Sequence, residues 1–410
     1  MRIDYGLARD LADCFGDAFY IFDQILLEKN YADIYSEFNN HYKNTKIAYS
    51  YKTNYIPLVC KVVDSLGGYA EVVSEMEFRL ALRLGVDSNR IIYNGPYKSI
   101  ESTRDSLLQG CIVNLDSIRD INLLDQIASE NPLNIMRIGL RCNFQLSEES
   151  TSRFGLDISG DEFRHALKVI EKHQNVSFSG IHCHFPDRSL LSFKQRARRM
   201  VEISNDIFDE PPDFIDIGGG FFGELPHSLS QLYREPIPSI ADYAGAVGNI
   251  FSAHFQSCSK KPVLFIEPGT AIVASTMSFV TRVINIKFIK DKKYIFVAGS
   301  IFNISPIARS LNLPVNILSA NSGNVVKKSN EVFDVVGYTC IEGDYLSKNL
   351  SGLVEINDFL EYGNVGSYSI VMKPPFILPN VPILLQGNSV EECIIIKKAE
   401  SLCYPFENFV

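Results

Sequence analysis

No CxxC pair occurs among the nine cysteines, so the spacing that builds zinc ribbons and dithiol redox sites is missing. An odd number of scattered cysteines points instead to free thiols in a reducing compartment. No run of lysine or arginine stands out and the formal net charge is -9, which argues against general nucleic-acid binding. No apolar run approaches the ~20 residues of a membrane span. The first residues carry Arg2, Asp4, Arg9 and Asp10 without a long apolar core, so no signal peptide is expected. There is no low-complexity tract, no short-period repeat, and no GxGxxG after the first strand-like segment, which weakens an open dinucleotide-binding sheet. What remains is a chain of 410 residues, 46% hydrophobic and 21% charged. That is the composition of a soluble, cytoplasmic protein long enough for two domains and a large core.

Strand and helix signals alternate over most of the chain. A compact strand, Ala18 to Asp23, is followed by a helical stretch over 24–44. Tyr49-Ser50-Tyr51-Lys52 reads as the end of a short strand, and an amphipathic run from Ile56 to Leu66 closes at Gly67-Gly68. Further strand signals fall at 68–73, 91–95, 111–115, 134–140, 179–184, 214–217 and 263–267, most with a helical stretch behind them. About eight strand–helix units over some 240 residues match a (β/α)8 barrel. From about Thr276 the pattern changes to strands separated by Gly and Pro, with candidates at 331–339, 352–356, 367–372 and 381–385. The expected fold is therefore α/β, a (β/α)8 TIM barrel over residues 24–270. A β-sandwich or β-barrel domain is expected from residues 271–410 together with the opening strand, 1–23.

In such barrels chemistry sits at the C-terminal ends of the strands. The polar residues found there are Lys52, Asn94, Arg137 or Arg141, His184, Gly218 to Gly220, and Glu267. A lysine at a buried strand end either snorkels to water or, desolvated, becomes an amine able to form a Schiff base. Gly218-Gly219-Gly220 is either a tight turn or a backbone cradle for an anion such as phosphate. Glu267-Pro268-Gly269 offers a carboxylate that caps, pairs with an arginine, or keeps a heterocyclic nitrogen protonated. His182 and His184 share one face of a strand, with Cys183 on the other. They are core histidines, a platform for a planar ring, or two ligands of a metal whose remaining ligands the sequence does not nominate. No metal site is expected. Cys340, near Glu342 and Asp344, is a structural thiol or a proton donor.

Taken together these stretches resemble the fold-type III decarboxylases that use pyridoxal 5′-phosphate (PLP), the group of diaminopimelate, ornithine and arginine decarboxylases related to alanine racemase. Phe19 to Asp23 resembles the family's opening strand. Tyr51-Lys52-Thr53-Asn54 resembles the K-x-N motif, which implies that Lys52 carries the cofactor. Glu71-Val72-Val73-Ser74 is similar to A-D-V-x-S, and Ser152-Arg153-Phe154-Gly155 to S-K-F-G, placing Arg153 near the substrate. Gly180 to His184 matches G-x-H-x-H, implying that His184 stacks on the pyridine. Asp216 to Phe221 is similar to the phosphate loop with Gly218, Gly219 and Gly220. Glu267-Pro268-Gly269 matches E-P-G, implying that Glu267 pairs with the ring nitrogen, with Gly269 and Thr270 beside the cofactor. Cys340 and Asp344 match C-x-x-x-D, which in the family reaches the partner subunit's site. Gly366-Ser367-Tyr368 resembles G-A-Y, placing Tyr368 near the phosphate.

The resemblance implies a homodimer with sites at the subunit interface. It also implies a lyase that removes the α-carboxylate of an amino acid, with Lys52, His184 and Cys340 as catalytic residues. Several positions depart from it. Thr270 stands where the family has an arginine, removing one cationic phosphate contact. Pro186-Asp187 replaces Gly-Ser after the second histidine. Ile341 replaces the acid after the cysteine, which Glu342 would have to substitute. Asn364-Val365 replaces the usual aspartate-bearing approach to the tyrosine. These changes point to a modified substrate in a specialised pathway such as polyamine, siderophore or antibiotic synthesis. An amino-acid racemase of the same fold, a non-catalytic PLP-binding or regulatory paralogue, and a metal-dependent barrel hydrolase using His182 and His184 are the competing readings.

Overall fold

A computed structural model describes residues 3–146, 152–231, 233, 236–305, 312–320 and 331–403. The chain divides into two compact units, one of Glu28–Gly223 with Ile237–Ala271, the other of Met1–Leu27, Glu224–Pro236 and Ile272–Val410.

The first unit is a closed barrel. Its eight parallel strands are Thr45–Ser50, Tyr69–Val72, Ile91–Tyr93, Ile112–Leu115, Met136–Asn143, Val176–His182, Phe214–Asp216 and Val263–Ile266. They pair in chain order, and the last returns to the first through Leu264↔Thr45 and Ile266↔Ile47. Such closure leaves no free edge. Helices between the strands carry their own start and stop signals. Ser74, Ser99 and Ser189 accept from the backbone of the first turn, and Gly85 and Gly110, at positive φ, release the chain after the helices that precede them. Among the described residues no helix is long and apolar enough to cross a membrane.

Inside the barrel an apolar layer of Ala48, Ile92, Ile112, Phe214 and Phe265 is buried. Phe214 decides two glycines. A Cβ at Gly180 would collide with the Phe214 carbonyl and lie 2.7 Å from its ring, and one at Gly139 would come within 2.9 Å of the same ring.

The second unit is built on strands, and the N-terminal strand belongs to it. Ala18–Phe22 pairs antiparallel with the long strand Met277–Ile289 and parallel with Ile383–Leu385. Its core joins Phe19, Ile21, Val280, Phe359 and Leu384 to Ile3, Ala8, Leu11 and Ala12. The last four belong to or precede a helix, Tyr5–Phe15, begun by the Asp4 side chain and ended at Gly16 with φ 98°; the reading of residues 1–23 had not included it.

Other expectations in this unit need correction. Residues 352–356 are not a strand, because Asp358 turns the segment by accepting from Glu355 N at 2.8 Å and Asn357 takes φ 73°. Residues 367–372 are a turn around Tyr368, at φ 65°. Four strands, Tyr345–Ser351, Phe359–Tyr362, Val315–Leu318 and Ile394–Lys397, were not expected. The first is polar, and its pairing with Val332–Val336 slips register, so it shows no clean alternation.

The packing around Phe214 gives a first prediction. Gly180→Ala destabilises the protein by about 1–3 kcal/mol, the usual cost of overpacking, read as a lowered midpoint in urea unfolding. An unchanged midpoint would contradict the tight contact.

Candidate active site

Lys52 does not lie on the strand as expected. The strand stops at Ser50, and Lys52 sits in a single 3-10 turn, Tyr51–Thr53. Its side chain is about a third exposed, and the amine donates to Glu71 Oε2 at 2.6 Å. A carboxylate, rather than burial alone, therefore holds this amine. Strand register explains the meeting, since Ser50 pairs with Glu71 across the first two barrel strands.

From Glu71 a polar chain crosses the barrel mouth. Asn94 donates to Glu71 Oε1 at 3.1 Å and to Glu267 Oε1 at 2.5 Å, and its own oxygen accepts from Asn114 Nδ2 at 2.7 Å. All the hydrogen-bonding capacity of the Asn94 amide pointing into the site is thus assigned. Glu267 also lies 3.6 Å from His182 Nε2. His182, Asp216 and Glu267 are buried, with donor atoms within 4.8 Å of one another. Both His182 nitrogens and Asp216 Oδ2 lack a partner among the described residues. Burial opposes ionisation of both carboxyls. At Glu267 the attraction of His182 and Lys52 outweighs it and holds the group well below the usual carboxylate range. At Asp216 burial and the Glu267 charge push the carboxyl well above that range. The two carboxyls are thus pushed in opposite directions, Glu267 toward its ionised form and Asp216 toward its neutral form.

His184 stands beyond the end of the sixth strand. Gly219 N–H donates to its Nδ1 at 3.1 Å, which leaves the ring proton on Nε2. Burial lowers its pKa to about 3, so the imidazole is neutral and presents a flat, uncharged face. The glycine loop fixes it closely: a Cβ at Gly218 would come within 2.8 Å of His184 Nδ1. Gly218 and Gly220 take φ 72° and 101°, and Gly218 N–H donates to Asp216 Oδ1 at 2.8 Å. A Cβ at Gly220 would meet nothing nearer than 3.9 Å, so the loop opens to space there. No described acceptor takes the Gly220 or Phe221 N–H. Gly269 must be glycine for a different reason, because a Cβ would strike the Thr53 hydroxyl and lie 3.2 Å from Ser50 Cβ. The turn after Glu267 is thereby pressed against the turn that carries Lys52. Thr270 opens the short helix Thr270–Val273.

Other expected residues lie apart from this constellation or in the second unit. Arg153 is exposed and stacks 4.2 Å over Phe154. The same ring also lies 4.8 Å from the Arg141 guanidinium, which is bound to Asp116 at 2.9 Å; of the two arginines considered on that strand, Arg141 is the one toward its C-terminal end. In the second unit, Cys340 and Glu342 are exposed. Asp344 is buried, with Oδ1 accepting from Ile301 N at 2.7 Å and Oδ2 from the Thr339 hydroxyl at 2.6 Å. Both its oxygens are occupied, so it shapes the loop bearing Cys340 and does not offer the free carboxylate expected for substrate. Tyr368 is half-buried at φ 65°, an uncommon conformation for a bulky residue. Sequence reasoning missed the role of Glu71, although it had marked the segment, and missed Arg188 and Arg196 altogether.

An amine beside a carboxylate, an anionic glutamate next to unpartnered polar atoms, a neutral imidazole and an open glycine loop fit the parts of PLP: aldehyde, ring nitrogen, ring face and phosphate. The class this fold and site define is an alanine-racemase-like barrel with a β domain. A family model described as the pyridoxal binding domain of pyridoxal-dependent decarboxylases matches residues 29–274, and the chain belongs to that family of carboxy-lyases, with PLP as its cofactor. It is 24% identical over 420 residues to the diaminopimelate decarboxylase of Aquifex aeolicus, covering 97% of this chain and 93% of that protein. It is 26% identical to that of Methanothermobacter thermautotrophicus, covering 90% and 86%. The crystal structure of diaminopimelate decarboxylase from Methanocaldococcus jannaschii superposes with a TM-score of 0.85 at 22% identity over 98% of this chain and 94% of that one. The lysine/ornithine decarboxylase of Vibrio vulnificus gives 0.71 at 16% identity, over 91% and 94%. These structural likenesses establish the fold.

The His184 environment gives a second prediction. Its imidazole stays neutral, protonated on Nε2, down to about pH 3, which nitrogen NMR of the ring reads directly. Because the folded value lies below the unfolded one of about 6.5, His184 lowers stability as pH falls from there toward 3. A ring that titrates near its unfolded value would contradict the burial.

Proposed function

We propose that this chain removes the α-carboxylate of an amino acid or modified amino acid to give an amine and CO2, using Lys52, His184 and Glu267 as the working residues of the barrel. The observation that carries the reading is the geometry of the mouth, where the Lys52 amine is held on Glu71 and the buried Glu267 carboxylate is fixed by Asn94 at 2.5 Å and faces His182. Bound PLP supplies a sink for the electron pair left when the Cα–carboxylate bond breaks. Glu267 makes that sink deep by holding a proton at the ring nitrogen, with Asn94 fixing the carboxylate's rotation. Glu71 keeps the Lys52 amine at the mouth, where it meets the cofactor's aldehyde. His184, neutral and pinned by Gly219, covers one face of the ring. The glycine loop would take the phosphate on its N–H groups. Cys340 from the facing subunit of a homodimer, or Lys52 itself, returns the proton to Cα; the exposure of Cys340 on a loop shaped by Asp344 is in keeping with that role. An anionic partner at the ring nitrogen favours decarboxylation over racemisation, which a weaker electron sink serves better.

The departures at Thr270, Pro186-Asp187 and Ile341 favour a modified substrate in a specialised cytoplasmic pathway, of the polyamine, siderophore or antibiotic kind. Arg153 and Glu342 are the side chains proposed to select it. A CO2-release screen over basic, acidic and acylated amino acids identifies the class.

A third prediction concerns the lysine. Lys52→Ala lowers CO2 release by at least about 1,000-fold, the scale on which covalent and proton-transfer groups act, and abolishes the visible absorbance of lysine-bound cofactor. A variant that keeps both would overturn the assignment.

A further inference from the structure

Thr270 removes a cation from the place where a phosphate would be expected to meet one. Beside the loop that would take its place lies a guanidinium with no counter-ion. Arg196, on the helix Leu190–Ile207, is completely buried. Its nitrogens donate to the carbonyls of Gly219 at 3.0 Å, of Phe185 at 2.9 Å and of Asp187, and to the Ser192 hydroxyl at 3.2 Å. The ring of Phe193 lies 4.2 Å beneath it. Among the described residues no carboxylate is within ion-pair distance of it. The Asp187 carboxylate is turned instead to the Ser189 N–H at 2.8 Å and hydroxyl at 3.0 Å. A buried charge with neutral partners only is costly, and that cost falls when an anion is bound within a few ångströms.

The hydrogen bonds also set direction. In a trans peptide the carbonyl and the following N–H point opposite ways. Arg196 holds the Gly219 carbonyl, which turns the Gly220 N–H away from it. Arg188 holds the Gly220 carbonyl through Nε at 2.9 Å and the Phe221 carbonyl through Nη2 at 2.9 Å, which turns the Phe221 N–H the same way in its turn. These are the two N–H groups without an acceptor, on the stretch of loop that opens to space. Successive N–H groups around a left-handed glycine form an anion nest.

We propose that Arg196 is the cation that secures the cofactor phosphate in this chain, acting from behind the Gly218–Gly220 loop and not by direct contact. It is a positioning residue: it aims the Gly220 N–H and supplies positive charge to the nest, in place of the arginine missing at Thr270. The inference rests on the loop being the phosphate seat. It also accounts for the tolerance of Pro186-Asp187 where a hydroxyl would be expected, since the Asp187 carbonyl is one of the groups that anchor the guanidinium.

The test compares PLP with pyridoxal, which has the ring and aldehyde but no phosphate, by equilibrium dialysis of cofactor-stripped full-length protein. Arg196→Gln can keep a carbonyl hydrogen bond but carries no charge. It raises the Kd for PLP on the order of 10- to 100-fold, the span of a charge-assisted interaction. The Kd for pyridoxal stays within about twofold, because the ring contacts do not involve the nest. Arg196→Lys, which keeps the charge, holds PLP within about fivefold of wild type. Equal weakening of both ligands by Arg196→Gln would mean that the residue only supports the fold, and equal PLP affinity in the two variants would mean that charge is irrelevant; either overturns the proposal. A wild-type protein that binds PLP no better than pyridoxal would instead remove the phosphate seat itself, a failure visible before any variant is made.

Discussion

The site depends on keeping one carboxylate ionised where water is largely excluded. Glu267 is 3% exposed, and an isolated charge there would protonate itself instead of remaining an anion. The barrel prevents this by surrounding it with donors from other strands. Asn94 at the end of the third strand donates one N–H to it, and His182 at the end of the sixth faces it. Asp216, on the seventh strand, is pushed toward its neutral form by burial and by the Glu267 charge. Asn94 works because Asn114 on the fourth strand fixes which way round its amide lies. No single strand could make this arrangement, and a closed barrel brings all of these strand ends to one mouth.

How far the sequence could reveal this is uneven for physical reasons. The barrel was legible because short continuous apolar runs, the mark of strands buried on both faces, alternate with amphipathic helices and glycine punctuation. The glycine loop and Glu267-Pro268-Gly269 were legible because close backbone approach demands glycine whatever the surroundings, and the Thr53 contact at Gly269 shows the demand is real. The pairing of Lys52 with Glu71 was not legible, since it depends on strand register, which neither residue encodes alone. In the second unit, Asn357 and Tyr368 at positive φ turn segments whose composition reads as strand. Asp344 misled in a different way: a carboxylate beside an exposed cysteine reads as a reactive pair, but its oxygens are committed to the backbone of Ile301 and to Thr339.

Arg196 is the instructive omission. Four of the six residues from Lys194 to Arg199 are basic, too short a cluster to stand out, and composition alone puts position 196 on a solvated helix face. Yet Phe193, Ala197, Met200 and Val201 are buried, and position 196 lies on the same stripe at helical spacing. A charged residue on an apolar stripe is a stronger signal than a charged residue in a basic run, and the two descriptions compete over the same six residues. Burial resolves the competition in favour of the first.

These charges also explain why the two ends of the seat differ. At one end carboxylates gather, with Glu71 matched by Lys52 and Glu267 set against His182 and an Asp216 pushed toward its neutral form. Arg141 and Asp116 cancel each other, as do the fully buried Lys98 and Asp120, so neither pair adds net charge to the mouth. At the other end the N–H groups of the glycine loop gather with Arg196, which has no carboxylate within ion-pair distance among the described residues. A ligand with a cationic ring nitrogen and a dianionic phosphate meets complementary potential at both ends and is misplaced if reversed. On the proposed seat, orientation follows from this separation of charge across the barrel mouth, with the positive end built into the scaffold behind the loop.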